Sequence, residues 1–434
     1  MKTDNMKTNT QTGKNQPADP LARGVGIILR SELTRQMNKQ LLGFFASIEF
    51  SLALVVVTGL LAGAQANAQC TEVTSGLREP LGTVLTNQRN LLVSETGTTA
   101  LNTGRISIVD PSGNRRTLLD GLPSAIADVG DPSGPGGIFM RGRNLYVAIG
   151  TGDAGRPGPF PGTTIPNPNP ISSPIFSSIL AIHFSAHAER TTTGFTLTLA
   201  HQQALADGQT VTLSNGGGDR VTIQMIADFP NFIPFPLPNF PGNIQLSNPF
   251  GLVAVEDTLY VTDGGRNRVW QIDLPTGAVS TLVTFPDIPN PLFGTPGLPG
   301  GPFLNAVPTG IASFDDRLFV TLFRGVPFPQ GTSTVEQIDP LTGSDTPFIT
   351  GRKNAIDVLP IVEHGETNYL VLQHASVGPF FGSPGLVLRF TSPAGPPTVV
   401  ANCLTRPTSM TLNKRTGTLY VSEYGGRIVA IPFP

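Results

Sequence analysis

The amino-acid sequence predicts an all-β fold: a six-bladed β-propeller whose last blade is completed by the N-terminal strand of the mature chain. Three observations carry this expectation: a composition hostile to long helices, a repeated strand–turn phrase, and a last repeat that stops one strand short. Glycine (49) and proline (41) make up about a fifth of the 434 residues, and both break helix interiors. Apolar residues still reach 39% and recur in short Val/Ile/Leu/Tyr runs, which reads as packed strands rather than disorder. Charged residues are 13% and the formal net charge is −2. Ordinary soluble domains carry about 25% charged residues. With no basic excess, nucleic acid is not an expected partner.

The repeat is a Pro/Gly turn, a short apolar strand, and a strand reading Leu-Tyr-Val. Clear copies are LREPLGTVLTNQRNLLVSETG from Leu77, SNPFGLVAVEDTLYVTDGG from Ser247, VPTGIASFDDRLFVTLFRG from Val307, AIDVLPIVEHGETNYLVLQHAS from Ala355 and RPTSMTLNKRTGTLYVSEYGG from Arg406. GPGGIFMRGRNLYVAIGTGD from Gly134 is a sixth. Third strands follow, such as GRISIVDPSG (104–113), NRVWQIDLPTG (267–277) and STVEQIDPLTG (333–343), and fourth strands such as AVSTLVTF (278–285). Four short antiparallel strands recurring every 40–50 residues or so is the propeller pattern.

After GGRIVAIPFP (425–434) no fourth strand remains. Residues 72–77, EVTSGL, align with 399–404, VVANCL, and each is followed three residues later by a proline, Pro80 and Pro407. The N-terminal strand is therefore expected to close the sixth blade, which removes an exposed sheet edge. The second-strand valines are Val93, Val147, Val261, Val320, Val371 and Val421, and the gap from Val147 to Val261 is twice the others. We read the extra stretch, about 186–225, as a hairpin insertion in the second blade. The alternative is a seventh blade, which lacks a Leu-Tyr-Val strand.

Residues 1–36 are polar and irregular, either a disordered extension or a misassigned start, with Met37 an alternative first residue. Residues 37–68 read as a signal peptide: a short basic opening, an apolar run from Phe50 to Gly63, and Ala66-Asn67-Ala68 before a cleavage that leaves Gln69 first. Glu49 interrupts the longer apolar stretch, so an uncleaved span of ~20 residues fits less well. Gln69 before Cys70 does not suit lipid attachment. An extracytoplasmic protein, periplasmic or secreted, is expected, with no stable membrane insertion after cleavage. Residues 69–434 then form one propeller domain. Cys70 and Cys403 can pair in such a compartment, but sequence leaves their separation open.

The phrases SNPFGL…LYVTDGGRNRV, AVPTGIA…LFVTLFRGVPFPQGTSTVEQIDPLTG and RPTSMTL…LYVSEYGGRI resemble ScyD/ScyE-type secreted propellers over about residues 72–434. The most specific piece is Val-Pro-Phe-Pro-Gln-Gly, 326–331. The resemblance implies the fold and export and no defined reaction. NHL-repeat proteins and gluconolactonase-like calcium propellers are more distant in pattern. Calcium-dependent lactonase propellers place oxygen ligands in the Pro-x-Gly turn of first strands. Here those positions are Leu81, Gly136, Phe250, Thr309, Ile356 and Thr408, with Asp357 one residue off. A hard divalent cation wants carboxylates or amides there, so a lactonase mechanism is not expected and no cofactor is called for. Second strands end in Glu95, Asp263 and Glu423, with Ile149, Leu322 and Gln373 in the other blades. The acids are the candidate ligands for a Ca2+ ion, or else turn caps.

Strand order puts five Pro-rich segments at one end of the disc, the top: 155–174, 230–243, 285–303, 324–331 and 376–385. They carry ten of the 25 phenylalanines. Candidate binding residues there are Phe160, Phe235, Phe240, Phe293, Phe328, Phe380 and Phe381, with His374 at the top of the fifth blade. The expected activity is binding or scaffolding of a protein or an apolar small molecule. A divalent-cation-dependent hydrolase or other small-molecule enzyme, lactonase-like, is the alternative. No catalytic residues are assigned.

Overall fold

The computed structural model describes residues 69–433. The expected extension (1–36) and signal peptide (37–68) lie outside them. Among the described residues no helix is long and apolar enough to cross a membrane.

Six antiparallel sheets form the blades. Their first strands are Pro80–Leu85, Pro135–Arg141, Pro249–Val255, Pro308–Phe314, Ala355–Glu363 and Pro407–Asn413, and each lies at one end of its sheet. Each first strand contacts the first strands of the next and previous blades, and the sixth returns to the first, so the ring is closed. The chain is thus a six-bladed β-propeller. The six second-strand valines, Val93 to Val421, all have 0% exposure: a strand packed by blades on both faces reads as a continuous apolar run. In blades one, three and four the third-to-fourth turn is capped by its own aspartate, Asp110, Asp273 and Asp339. Asp110 Oδ1 accepts from the Ser112 and Asn114 amides, and Asp339 Oδ1 from those of Leu341 and Thr342.

Each first strand opens on a bulge, and there adjacent backbones nearly touch. A Cβ on Gly137 would sit 2.3 Å from the Phe250 carbonyl oxygen, and one on Gly251 2.3 Å from that of Thr309. Gly82 and Gly310 are similarly crowded by the next blade. Only glycine permits that approach. Blades five and six carry Asp357 and Ser409 instead, and their side chains span the gap. Asp357 Oδ2 accepts from the Met410 amide at 2.9 Å, and Ser409 Oγ bonds Thr83 Oγ1 at 3.0 Å.

The closing strand is Thr71–Thr74, antiparallel to Arg427–Pro432. Leu77 follows it, buried like its counterpart Leu404, and its amide donates to the Gly426 carbonyl. Cys70 and Cys403 form a disulfide with Cα atoms 6.0 Å apart. It fastens the closing strand of blade six to the outer strand of blade five, Thr398–Leu404.

The stretch after the third strand of blade two, Ser178–Phe184, begins with two helices, Ala186–Thr191 and Leu199–Ala206. The hairpin expected over about 186–225 forms only from Val211, where Val211–Ser214 adds a fifth strand outside Arg220–Asp228. Thr198 and His201 form a capping box, and the following Leu-Ala-His-Gln-Gln-Ala-Leu-Ala contains strong helix formers. The insertion also reaches blade one: Phe195–Thr196 pairs parallel with Leu119–Asp120, and buried Glu189 accepts from Thr86 and Asn90.

Candidate binding face

Loops from second to third strands and from fourth to first strands open at the same end of a four-stranded propeller. The observed strand order places all five Pro-rich segments there. They brace one another: the Phe160 and Phe240 rings meet edge to face at 5.9 Å, and the Thr164 amide donates to Asn243 Oδ1 at 2.9 Å.

The top phenylalanines divide into two groups. Phe160, Phe235, Phe293, Phe303 and Phe380 are exposed, from 39% for Phe380 to 60% for Phe293. Exposed Leu101, Ile126, Val129, Val326 and Val377 lie on the same end. Exposed large apolar residues elsewhere, among the described residues, are Leu199, Val279, Leu341 and Val362. Phe240, Phe328 and Phe381 are half-buried, and Phe285 is buried in the core between blades three and four. The Phe328 and Phe381 rings stack at 4.7 Å over buried Phe323, and the His374 ring meets Phe381 at 4.8 Å. Phe328 and Phe381 form a lid joining the 324–331 and 376–385 loops.

Lys353, 1% exposed, ties the lid together. Its ammonium donates to the Phe328 carbonyl at 2.7 Å and the Phe380 carbonyl at 2.8 Å. Burial pulls its pKa down to about 8. The Phe380 amide returns a bond to the Pro327 carbonyl. His374 is buried beneath the lid, and burial holds its pKa down to about 4. Neutral, it donates from Nδ1 to the Pro407 carbonyl at 2.9 Å and accepts at Nε2 from Arg406 Nε at 3.3 Å. The Arg406 guanidinium lies over the Phe381 ring at 5.1 Å and the Tyr424 ring at 4.3 Å. The Tyr424 hydroxyl bonds the Glu79 carboxylate, whose pKa burial raises.

Sequence reasoning singled out His374 and missed Lys353, Arg406, Tyr424 and Phe323. A signal existed for two of them. Lys353 and Arg406 sit at the entry to first strands, in Arg-Lys-Asn-Ala and Thr-Arg-Pro-Thr, a place that is also charged in blade one, with Arg78 and Glu79.

The three acids occupy separate blades. Glu95 accepts from the Arg78 amide, from Arg105 through Nε and Nη2, and from Ser107. Asp263 accepts from the Asn248, Gly265 and Arg266 amides and from Trp270 Nε1. Glu423 accepts from the Thr405 amide and Arg427. Each is buried and saturated with donors, and each pins the turn entering its blade's first strand. His183 and His187 bond different partners, Asn144 and Asp219. Among the described residues no group of three or more His, Cys, Asp or Glu converges as a metal site.

Below the top mouth runs the central channel, a cavity of about 320 Å³ lined by all six first strands. Its walls are apolar or hydroxylic, and Asp357 is its single ionisable lining group. Burial pushes the Asp357 pKa up to about 7, against two backbone amides, Met410 and Val358, that favour the charged form.

No protein family and no curated protein matches this chain. Solved structures similar to it include three propellers. One is a catalytically inactive virginiamycin B lyase from Staphylococcus aureus with quinupristin: 12% identity, 84% of this chain and 99% of that chain covered, TM-score 0.42. Soluble aldose sugar dehydrogenase from Escherichia coli is 12% identical, with 84% and 99% covered and TM-score 0.46. A gluconolactonase from Xanthomonas campestris is 12% identical, with 85% and 90% covered and TM-score 0.45. Likeness at this level carries no argument about activity. The propeller assignment rests on the closed ring of this chain's own strands.

Proposed function

We propose that this chain is an exported binding or scaffold protein that works through its top face. The observation that carries the reading is the segregation of exposed aromatic surface. All five phenylalanines exposed among the described residues stand at one end of the disc, on loops stiffened by proline. Exposed apolar surface gathered at one end suits recognition, and proline lowers the entropy lost when a loop is held in one shape. The carboxylates that could otherwise ligate a cation at the channel mouth are spent on arginines and backbone amides. Export is supported by the signal-peptide pattern and by the disulfide, which persists in oxidising compartments. The ScyD/ScyE-type resemblance points the same way.

The test is a comparison of the secreted protein with a variant carrying Phe160→Ser, Phe235→Ser, Phe293→Ser and Phe303→Ser. Both are immobilised and challenged with the envelope and medium fractions of the producing cell. The reading expects partners retained by the native protein and lost by the folded variant. Identical retention would overturn it. N-terminal sequencing is expected to begin at Gln69.

A further inference from the structure

We infer that Arg406 is the receptor for a carboxylate at the top mouth, and that the ligand carrying it has an aromatic or apolar body. The inference deepens the top-face reading and rests on it. Arg406 is held in a way that a surface arginine is not. Its guanidinium carbon lies 5.1 Å from the Phe381 ring centre and 4.3 Å from that of Tyr424, and its Nε is fixed by the buried, neutral His374. His374 is in turn fixed by the Pro407 carbonyl. Every contact holds the plane or the Nε edge. Among the described residues, the two terminal nitrogens, Nη1 and Nη2, have no hydrogen-bond partner, and the bond from Nε to His374 stands alone. Among the described residues Arg406 forms no ion pair. A rigid fork with free ends matches the two oxygens of a carboxylate.

A second cation lies under the lid. Lys353 bonds only carbonyl oxygens and, among the described residues, forms no ion pair. The acids near Arg406 are Glu79, which is engaged by the Tyr424 hydroxyl, and Asp131, which lies near Glu79 and Tyr424. Phe381, beside the guanidinium, is only half-buried, so a ligand at the fork meets an aromatic side chain.

The experiment uses the mature protein with 2-naphthoate and its neutral amide, 2-naphthamide, followed by ligand fluorescence and calorimetry. Native protein is expected to bind the naphthoate at least tenfold more tightly than the amide. Arg406→Met should abolish that preference while leaving the weak amide binding in place. Arg406→Lys, which keeps the charge and loses the fork, should recover only part of it. Phe381→Ala should weaken both ligands. Circular dichroism of each variant establishes that it folds. Equal binding of the two ligands by native protein, no binding of either, or full naphthoate affinity in Arg406→Met would overturn the inference. The top-face reading fails separately: it falls if the exposed-phenylalanine variant retains every partner, whatever the naphthoate result.

Discussion

The two ends of this disc are built from the same strands and differ in almost everything that joins them. At the bottom, first and second strands are linked by tight polar turns, with Glu256, Asp315, Asp316 and His364 in left-handed backbone conformations. Third and fourth strands there are linked by aspartate-capped turns in blades one, three and four, and by the helix-bearing insertion in blade two. At the top, five connections are long, proline-rich and aromatic. Outside that insertion, the bottom shows how little chain is needed to join these strands. The top carries surplus chain in several blades, and part of that surplus presents apolar side chains to solvent. Fold and recognition are separable here, residue by residue, and the comparison can be broken at several points.

The largest effect should come from the ring, which neither set of loops supplies. Deleting 69–78 removes the closing strand and the disulfide and exposes the edge of Arg427–Pro432. The expected outcome is aggregation or a large fall in melting temperature. Cys70→Ser with Cys403→Ser should cost about 2–5 kcal/mol in denaturant unfolding, since the bond closes a very long loop. A truncated protein that stays monomeric with unchanged stability would show that the ring does not need its closure.

Next in size are the lid residues. Phe381→Ala removes a ring stacked on Phe328 and His374, and should lower stability by about 2 kcal/mol, on the scale of burying one aromatic side chain. Phe235→Ser, exposed on a neighbouring loop, should stay within about 0.5 kcal/mol of the native protein. Equal effects would erase the division between lid and recognition surface.

A smaller effect concerns the channel. Asp357 keeps its proton in the folded protein up to about pH 7, whereas an unfolded aspartate loses it near pH 4. Between those values the folded state holds more protons than the unfolded state. The contribution of Asp357 to stability therefore falls as pH rises from about 4 to 7, and levels off above. Asp357→Asn should remove that slope, read as the difference between the two unfolding curves across the window. A difference that does not vary with pH would mean that the carboxylate is ionised in the channel.

The repeat was legible because each strand of a blade is buried in a characteristic way. The Leu-Tyr-Val strand packs on both faces, so its valines could be counted. The closing strand was legible because Leu77 and Leu404 fill equivalent places. The top loops could be assigned from strand order alone. What sequence could not show was which aromatic residues pack and which face water: Phe328 and Phe235 sit in similar Pro-Phe-Pro contexts, and only the Lys353 clamp separates them. The capped helices of the insertion were obscured by alternation in the flanking residues. Glu95, Asp263 and Glu423 read as turn caps ahead of ligands, and Arg105, Trp270 and Arg427 fill their lone pairs in the structure. Arg406 was hidden because its stacking partners lie on other segments of the chain.

The central claim is that recognition resides at one end of the disc. It is tested most directly by measuring partner retention, per folded molecule, for two variants matched in number of substitutions. One carries Phe235→Ser and Phe293→Ser at the top, and the other Leu341→Ser and Val362→Ser at the bottom. All four side chains are exposed, so both proteins should melt with the native one. The account predicts that the top variant loses its partners and the bottom variant keeps them. Loss in the bottom variant, or equal retention in both, would contradict it.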